Sequence, residues 1–425
     1  MTLLILLTAM LVLLAIRVPV AHAMLLPCLL YVLFSEDITL GVAVQRTVAG
    51  VNSFPLLAVP LFVMTGYLTN AAGLADRMLR MLLCFFGRVP GNLAYVNVSS
   101  SVLFSWMSGA AIADAAGLGS VLVPAMRKQG YDARFSIGLT GASSMIGPLM
   151  PPSIPAIIYA VTAGVSVGGL FFAGVVPALV LAAALMVHAY VHVRRHPIPK
   201  SGPEVREHWL WVTLAAAPVL MTPVIILGGI LGGVFTPTEA AAAAVMYMLF
   251  LGVCYRTLTL AKLYKVLLDT CATTGMIMLI VAAASLFGWV IAREQGPQMV
   301  ADALLQLTSD PYMFLILVNV FLLFVGMLLE PTAALLICVP VLLPVASHFQ
   351  IDPLHLGIVM ILNLVIGLIT PPVGLVLYVL SSVTGINLKT VMQGMIPFLF
   401  PLMFTLAVVT FVPTVSLWLP RWLGL

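Results

Sequence analysis

The chain has 425 residues, of which 62% are hydrophobic and only 8% charged, and its mean hydropathy is +1.19. That balance excludes a soluble globular domain and makes the membrane the solvent, with length for about ten to twelve crossings when hairpins are counted. The net charge of +4 is spread over loops, which argues against a nucleic-acid surface.

The first 23 residues imitate a secretory leader, with Ala21-His22-Ala23 where a cleavage site would stand. They lack a basic start, and Arg17 interrupts the apolar run, so they read as retained membrane segments. Apolar segments follow at about 3–16, 19–34 and 54–72. In 73–88, Asp76, Arg77, Arg80 and Arg88 alternate with apolar residues at helical spacing, which predicts an amphipathic helix along the interface. Residues 90–126 hold two short apolar halves around Ser108 to Asp114 and predict a re-entrant hairpin. A basic loop (Arg127, Lys128, Arg134) leads to a broken helix at 135–163 and a plain span at 168–193. The polar stretch 194–208 reads as a linker between halves.

Two spans come next, 209–231 and 237–255. Between them, Thr236-Pro237-Thr238-Glu239 forms a capping box, which gives Glu239 a structural role. The second half then repeats the plan: a span at 266–292, a short polar helix at 296–310, a hairpin at 312–346 turning between Gly326 and Thr332, a broken helix at 354–383 and a last span at 391–415. The expected class is an all-α polytopic membrane protein. Its units are a scaffold with an interfacial arm (1–89), a first transport repeat (90–193), the linker, a second scaffold with arm (209–311) and a second transport repeat (312–425).

The two breaks are marked by a motif that occurs twice, Gly147-Pro148-Leu149-Met150-Pro151-Pro152-Ser153 and Gly367-Leu368-Ile369-Thr370-Pro371-Pro372-Val373. Each proline removes an N–H and frees the carbonyl four residues earlier, here those of Gly147, Pro148, Gly367 and Leu368. At membrane depth such backbone is tolerated where it lines a site or a water-filled cavity. Freed carbonyls suit a hard cation such as Na⁺, and the new helix N-terminus favours an anion. Comparing 124–177 with 344–397 at an offset of 220 matches Pro124/Pro344, Asp132/Asp352, Gly147/Gly367, Pro151/Pro371, Pro152/Pro372, Gly174/Gly394 and Pro177/Pro397 without a gap. Four of the six prolines in the first window coincide, far above chance for 29 in the chain, so this is an internal repeat. The loop after the first hairpin carries Arg127, Lys128 and Arg134, whereas its counterpart 347–354 carries no Lys or Arg. By the positive-inside rule the first is cytoplasmic and the second external, which predicts inverted repeats and places 15 of the 18 basic residues inside.

These residues resemble a known family. The stretch from Ser108 to Ser120, with Pro124-Ala125-Met126 and Gly130-Tyr131-Asp132, is similar to the large membrane (permease) subunit of tripartite ATP-independent periplasmic (TRAP) transporters. So are Ile146 to Pro155, Phe235 to Ala241 and Thr370 to Gly374, and the similarity runs nearly end to end. The resemblance implies a multi-pass protein of the bacterial inner membrane. It would take up organic acids by Na⁺-coupled symport through an elevator movement, with Na⁺ as coupling ion and no other cofactor. It also implies two partners, a small membrane subunit and a periplasmic substrate-binding protein. One departure is Ala110-Ala111 in the first hairpin tip, where many relatives carry another serine; the first ion site must then rely on Ser108 and backbone oxygens.

A clamshell site needs a hairpin tip facing a helix break. In the first half that pairs Ser108, Gly109 and Asp114 with Ser143, Ser144 and Gly147; in the second it pairs Gly326 and Glu330 with Asn363, Gly367, Thr370 and Pro371. Oxygen ligands of these kinds are what a hard cation prefers. Ser143 and Asn363 occupy equivalent positions one turn before the glycine, and interhelical hydrogen bonds are their structural alternative. Asp114 and Glu330 are candidates as intramembrane acids, with dipole-complementing caps as the alternative. Ser108, Ser153 and Thr370 are the candidate substrate hydroxyls.

His188, His192 and His196 share a face at metal-ligand spacing, but beside Arg194 and Arg195 they read as snorkelling residues. The five cysteines (Cys28, Cys84, Cys254, Cys271, Cys338) lack CxxC or Cys/His spacing. No P-loop, HExxH or GxSxG signature appears, so neither ATP hydrolysis nor an enzyme is indicated. Residues 90–126, 135–193 and 312–388 contain no Lys or Arg, so a carboxylate substrate there has no arginine clamp from this chain. The alternatives to a TRAP permease are a stand-alone Na⁺/anion symporter of similar architecture and a passive channel.

Overall fold

The computed structural model describes residues 2–16, 18–35, 37–87, 89–196, 208–371 and 374–425. Arg17, Arg88, Pro372 and most of the expected linker (197–207) lie outside the described residues. The rest is helical, without a strand among the described residues.

The N-terminal part runs α1 (Thr2–Ala15), α2 (Val20–Phe34), α3 (Leu40–Val51), a 3₁₀ turn at Phe54–Leu57, α4 (Ala58–Ala71) and α5 (Leu74–Phe86). Helix α3 has no counterpart in the sequence reading: at 12 residues, with Gln45 and Arg46 in its middle, it is too short and too polar for a span. It forms by packing on a later helix, where Ser285 Oγ donates to the Arg46 carbonyl at 2.8 Å. Helix α5 is the expected amphipathic arm, with Leu74, Met78, Leu79 and Leu82 buried and Asp76 and Arg80 exposed. Arg77 lies 3.4 Å from the Tyr255 ring centroid, a cation–π contact that pins the arm to the end of the helix Pro237–Cys254.

The first repeat is α6 (Asn92–Ser108), α7 (Ala111–Lys128), α8 (Ala133–Ser144), α9 (Ile154–Ala163) and α10 (Val167–Arg195). After it come α11 (Trp209–Leu231), α12 (Pro237–Cys254), α13 (Leu260–Arg293) and α14 (Gly296–Leu307). The second repeat is α15 (Pro311–Leu328), α16 (Pro331–His348), α17 (Pro353–Gly367), α18 (Leu375–Thr384) and α19 (Leu388–Phe411), with a short α20 (Thr414–Trp422) behind it. The capping box forms: Glu239 N donates to Thr236 Oγ1 at 3.3 Å and Thr236 N to Glu239 Oε2 at 2.7 Å. The matched aspartates are caps too, Asp132 accepting from Arg134 N at 3.1 Å and Asp352 from Leu354 N at 2.9 Å. Their recurrence is explained by helix initiation rather than by a site.

Among the described residues eight helices are long and apolar enough to cross a membrane, fewer than the ten to twelve expected. The breaks divide two of the expected spans into pieces of 10 to 15 residues, which membrane length alone does not recognise. Both arms of the second hairpin have 18 residues, about 27 Å, so length alone does not make it re-entrant.

The repeats pack reciprocally. The second arm of each hairpin lies on the post-break helix of the other repeat, α7 on α18 and α16 on α9. The helix that closes each repeat lies on the other's pre-break helix, α10 on α17 and α19 on α8. Such exchange is what an approximate two-fold relation between repeats produces. Around this pair, α13 binds α2, α3, α4 and α16, while α4 pairs with α12.

Candidate functional site

Each hairpin tip meets the break of its own repeat. In the first, α6 ends at Ser108 and the chain turns through Gly109, whose φ of +60° suits glycine. A Cβ there would collide with the Pro152 carbonyl oxygen, so only glycine lets tip and break touch. From the other side, a Cβ on Gly147 would sit 2.6 Å from Asp114 Oδ2. Ser108, Gly109, Asp114, Gly147 and Ser153 are therefore brought together. Asp114 is fully buried; its Oδ1 accepts from Ser108 Oγ, and its Oδ2 has no hydrogen-bond partner. Although it lies in the first turn of α7, Asp114 accepts no backbone N–H and so does not cap that helix.

The freed carbonyls differ in what they meet. The Pro148 carbonyl accepts from Ser153 Oγ, which also caps α9 by accepting from Ala156 N at 3.2 Å. Among the described residues no donor reaches the Gly147 carbonyl. Ser144 Oγ turns back to the Gly141 carbonyl at 2.8 Å. Ser143 is held from three directions: its one proton lies between Asn97 Oδ1 at 3.0 Å and the Thr140 carbonyl at 3.2 Å, and its oxygen accepts from Ser101 Oγ at 2.8 Å, which leaves one lone pair.

In the second repeat the turn is shorter than expected, at Leu329 and Glu330, and Gly326, in the last turn of α15, lies against Gly367 of the break, where a Cβ on Gly367 would come 2.6 Å from Gly326 Cα. Here the freed carbonyls are used, Gly367 O accepting from Thr370 N at 3.0 Å and Leu368 O from Val376 N at 3.1 Å. Thr370 Oγ1 donates to the Ile366 carbonyl at 2.8 Å, ahead of Pro371. Glu330 caps α16: it accepts from Ala333 N at 3.2 Å and from Thr332 Oγ1 at 2.8 Å. Asn363 donates to Asn319 Oδ1 at 2.7 Å, and its own Oδ1, fully buried, has no partner.

Residues that the sequence reading passed over complete these networks. Asn97 bridges α6 to Thr140 at 2.7 Å as well as to Ser143, and Asn319 links α15 to Thr410 at 2.9 Å. For Asn319 the available signal was a single polar side chain in an apolar helix, and Asn97 was one of several polar residues in α6; neither pattern reveals a partner. The histidines of α10 lie elsewhere, His192 stacked on Phe135 with centroids 3.7 Å apart and His188 beside Phe398 at 4.7 Å.

Two hairpin tips on two helix breaks, in a polytopic helical chain, are set beside a match of residues 7–415 to the family described as the tripartite ATP-independent periplasmic transporter, DctM component. The chain belongs to this family. It is 44% identical over 407 residues to the sialic acid TRAP transporter large permease protein of Vibrio cholerae, covering 95% of each chain. To the C4-dicarboxylate TRAP transporter large permease protein of Pseudomonas aeruginosa it is 41% identical, with 92% of each covered. These relatives of the TRAP permease are transporter subunits rather than enzymes, and the chain is a multi-pass inner-membrane protein. The solved YdaH transporter of Alcanivorax borkumensis shares the fold at a TM-score of 0.62 and 17% identity, over 92% of this chain and 90% of that one.

Proposed function

We propose that this TRAP permease takes up an organic acid by symport with Na⁺, together with a small membrane subunit and a periplasmic binding protein that delivers the substrate. The observation that carries this reading is Asp114, a buried carboxylate with an unpaired oxygen in a core whose sequence contains no Lys or Arg. A buried anion without a basic partner is neutralised by a cation or a proton. Its surroundings favour the cation. Ser108 spends its proton on Asp114 and keeps lone pairs, and the Gly147 carbonyl adds a hard oxygen. Backbone at Gly109, with Ser143 and Ser144 one turn deeper, completes the first candidate set. Asn363, Thr370, Gly326, Gly367 and Pro371 supply the second, while Glu330, which the sequence also offered, is taken up in capping α16.

The substrate carboxylate would then be held by Ser108, Ser153 and Thr370, by helix N-termini and by the cations, since no arginine clamp is available. Coupling follows physically: without Na⁺ the anion's site is poorly formed. The relatives named for sialic acid and C4-dicarboxylate are both named for carboxylic acids, which supports an acidic substrate. In this reading the hairpins are re-entrant, they enter from opposite sides, and the repeats move as an elevator against the scaffold. The loop Arg127 to Arg134 is then cytoplasmic and 347–353 external; a cysteine at position 350, not one at 130, should be labelled from outside intact cells.

The test is uptake into proteoliposomes holding this chain and its small subunit, with liganded binding protein outside and Na⁺ or pH gradients imposed separately. Na⁺-driven accumulation is expected. Accumulation driven by pH alone would assign the proton to Asp114, uptake without the binding protein would indicate a stand-alone symporter, and flux down its gradient regardless of Na⁺ would indicate a channel.

A further inference from the structure

From Met313 to Leu328, helix α15 carries one polar side chain, Asn319. A carboxamide in such a helix is costly unless its donors and acceptor find partners. Here they join three helices. Asn319 Nδ2 donates to Thr410 Oγ1 of α19 at 2.9 Å, and Asn319 Oδ1 accepts from Asn363 Nδ2 of α17 at 2.7 Å. The same Asn363 nitrogen reaches the Asn319 backbone carbonyl at 3.0 Å.

That last bond decides which way the Asn363 amide faces. A backbone carbonyl only accepts, so nitrogen rather than oxygen must lie against it, and the flipped amide is excluded. With the nitrogen committed to Asn319, Asn363 Oδ1 is left buried and unpartnered. Native structures rarely leave a buried amide oxygen in that condition without a ligand or water to meet it. The first repeat makes the contrast. Asn97 also sits on the first hairpin helix and also bonds the residue one turn before the glycine, yet the Ser143 oxygen there already accepts from Ser101, whereas Asn363 Oδ1 accepts from nothing.

We propose that Asn319 is a positioning residue: anchored by Thr410, it turns the Asn363 carboxamide so that its oxygen serves as a ligand of the second-repeat cation. The proposal rests on the Na⁺ reading of the preceding subsection. Asn319 and Thr410 act through Asn363, and because their chain ties α15 to α17 and α19, cation occupancy and hairpin position become linked.

The test uses the permease with its small subunit in nanodiscs, titrated with Na⁺ against choline at constant ionic strength while the thermal midpoint is followed. Asn319→Ala should raise the Na⁺ concentration at half-effect about five- to tenfold, the consequence of losing one hydrogen bond that orients a ligand. Asn363→Ala should raise it at least as far, and the double variant no further than Asn363→Ala alone, because both act through one oxygen. Thr410→Val is the milder variant should Asn319→Ala fail to fold, with about a two- to threefold rise expected from a loosened anchor. A purely structural bridge would lower stability in choline and leave the Na⁺ half-effect where it was. Wild-type protein without a Na⁺-specific response would overturn the coupling reading and this proposal together. A normal wild-type response, with folded variants at the wild-type half-effect or with multiplying effects in the double variant, would overturn the positioning role alone.

Discussion

The two hairpins share one architecture and arrange their polar groups in opposite ways. In the first, the carboxylate of Asp114 points at the break with an oxygen unpaired, while Ser143 one turn deeper both donates to Asn97 and accepts from Ser101. In the second, the carboxylate of Glu330 caps its own helix, while Asn363 one turn deeper has the unpaired oxygen. A repeat therefore conserves the place where a tip meets a break without conserving which side chain is available there. The first candidate site is anionic and the second is built on a neutral amide, so they should differ in affinity and in their response to a change of charge.

The largest expected effect separates the carboxylates. Asp114→Asn should lower Na⁺ affinity about tenfold to hundredfold, in line with about 1.5–3 kcal/mol for an interaction with a charged group. The Na⁺ dependence of uptake in proteoliposomes measures it, and a wild-type half-effect would remove Asp114 from the site. Next comes the contact common to both halves. Gly367→Ala places a methyl group against the Gly326 backbone and should cost about 1–3 kcal/mol by overpacking, visible as a lower melting temperature. If that variant melts like wild type, tip and break in the second repeat are not in contact in the membrane.

A third experiment compares the paired positions. Asn363→Ala should raise the Na⁺ half-effect by about tenfold, while Ser143→Ala should raise it less, because the Ser143 oxygen is already partly satisfied by Ser101 and held by Asn97. Equal shifts would restore the symmetric reading of the two positions. The smallest effect is expected at the cap. Glu330→Ala removes bonds to Ala333 N and Thr332 and should cost about 0.5–2 kcal/mol of stability with the Na⁺ half-effect unchanged. A clear shift there would make Glu330 a ligand and erase the contrast with Asp114.

Much of this molecule follows from rules that act within a turn or two. Hydropathy set the class, the double prolines marked the breaks that follow α8 and α17, Gly109 marked the first tip, and Thr236 with Glu239 declared the start of α12. Each is readable because its physics is local: a missing N–H, an absent Cβ, a carboxylate three residues from its donor. Helices α3 and α20 escaped the same rules. They are short, and packing sustains them: α20 lies on α10 and sets Ser416 2.8 Å from His355 Nδ1. The assignment of acids and amides also escaped. Asp114 and Glu330 occupy the same kind of place in the chain, as do Ser143 and Asn363. Whether each caps, bridges or keeps a free oxygen depends on the helix lying across from it: Asn97 and Ser101 for Ser143, Asn319 for Asn363, Gly147 for Asp114. A buried polar group is satisfied by what tertiary packing brings within about 3 Å, and no periodicity along the chain carries that information.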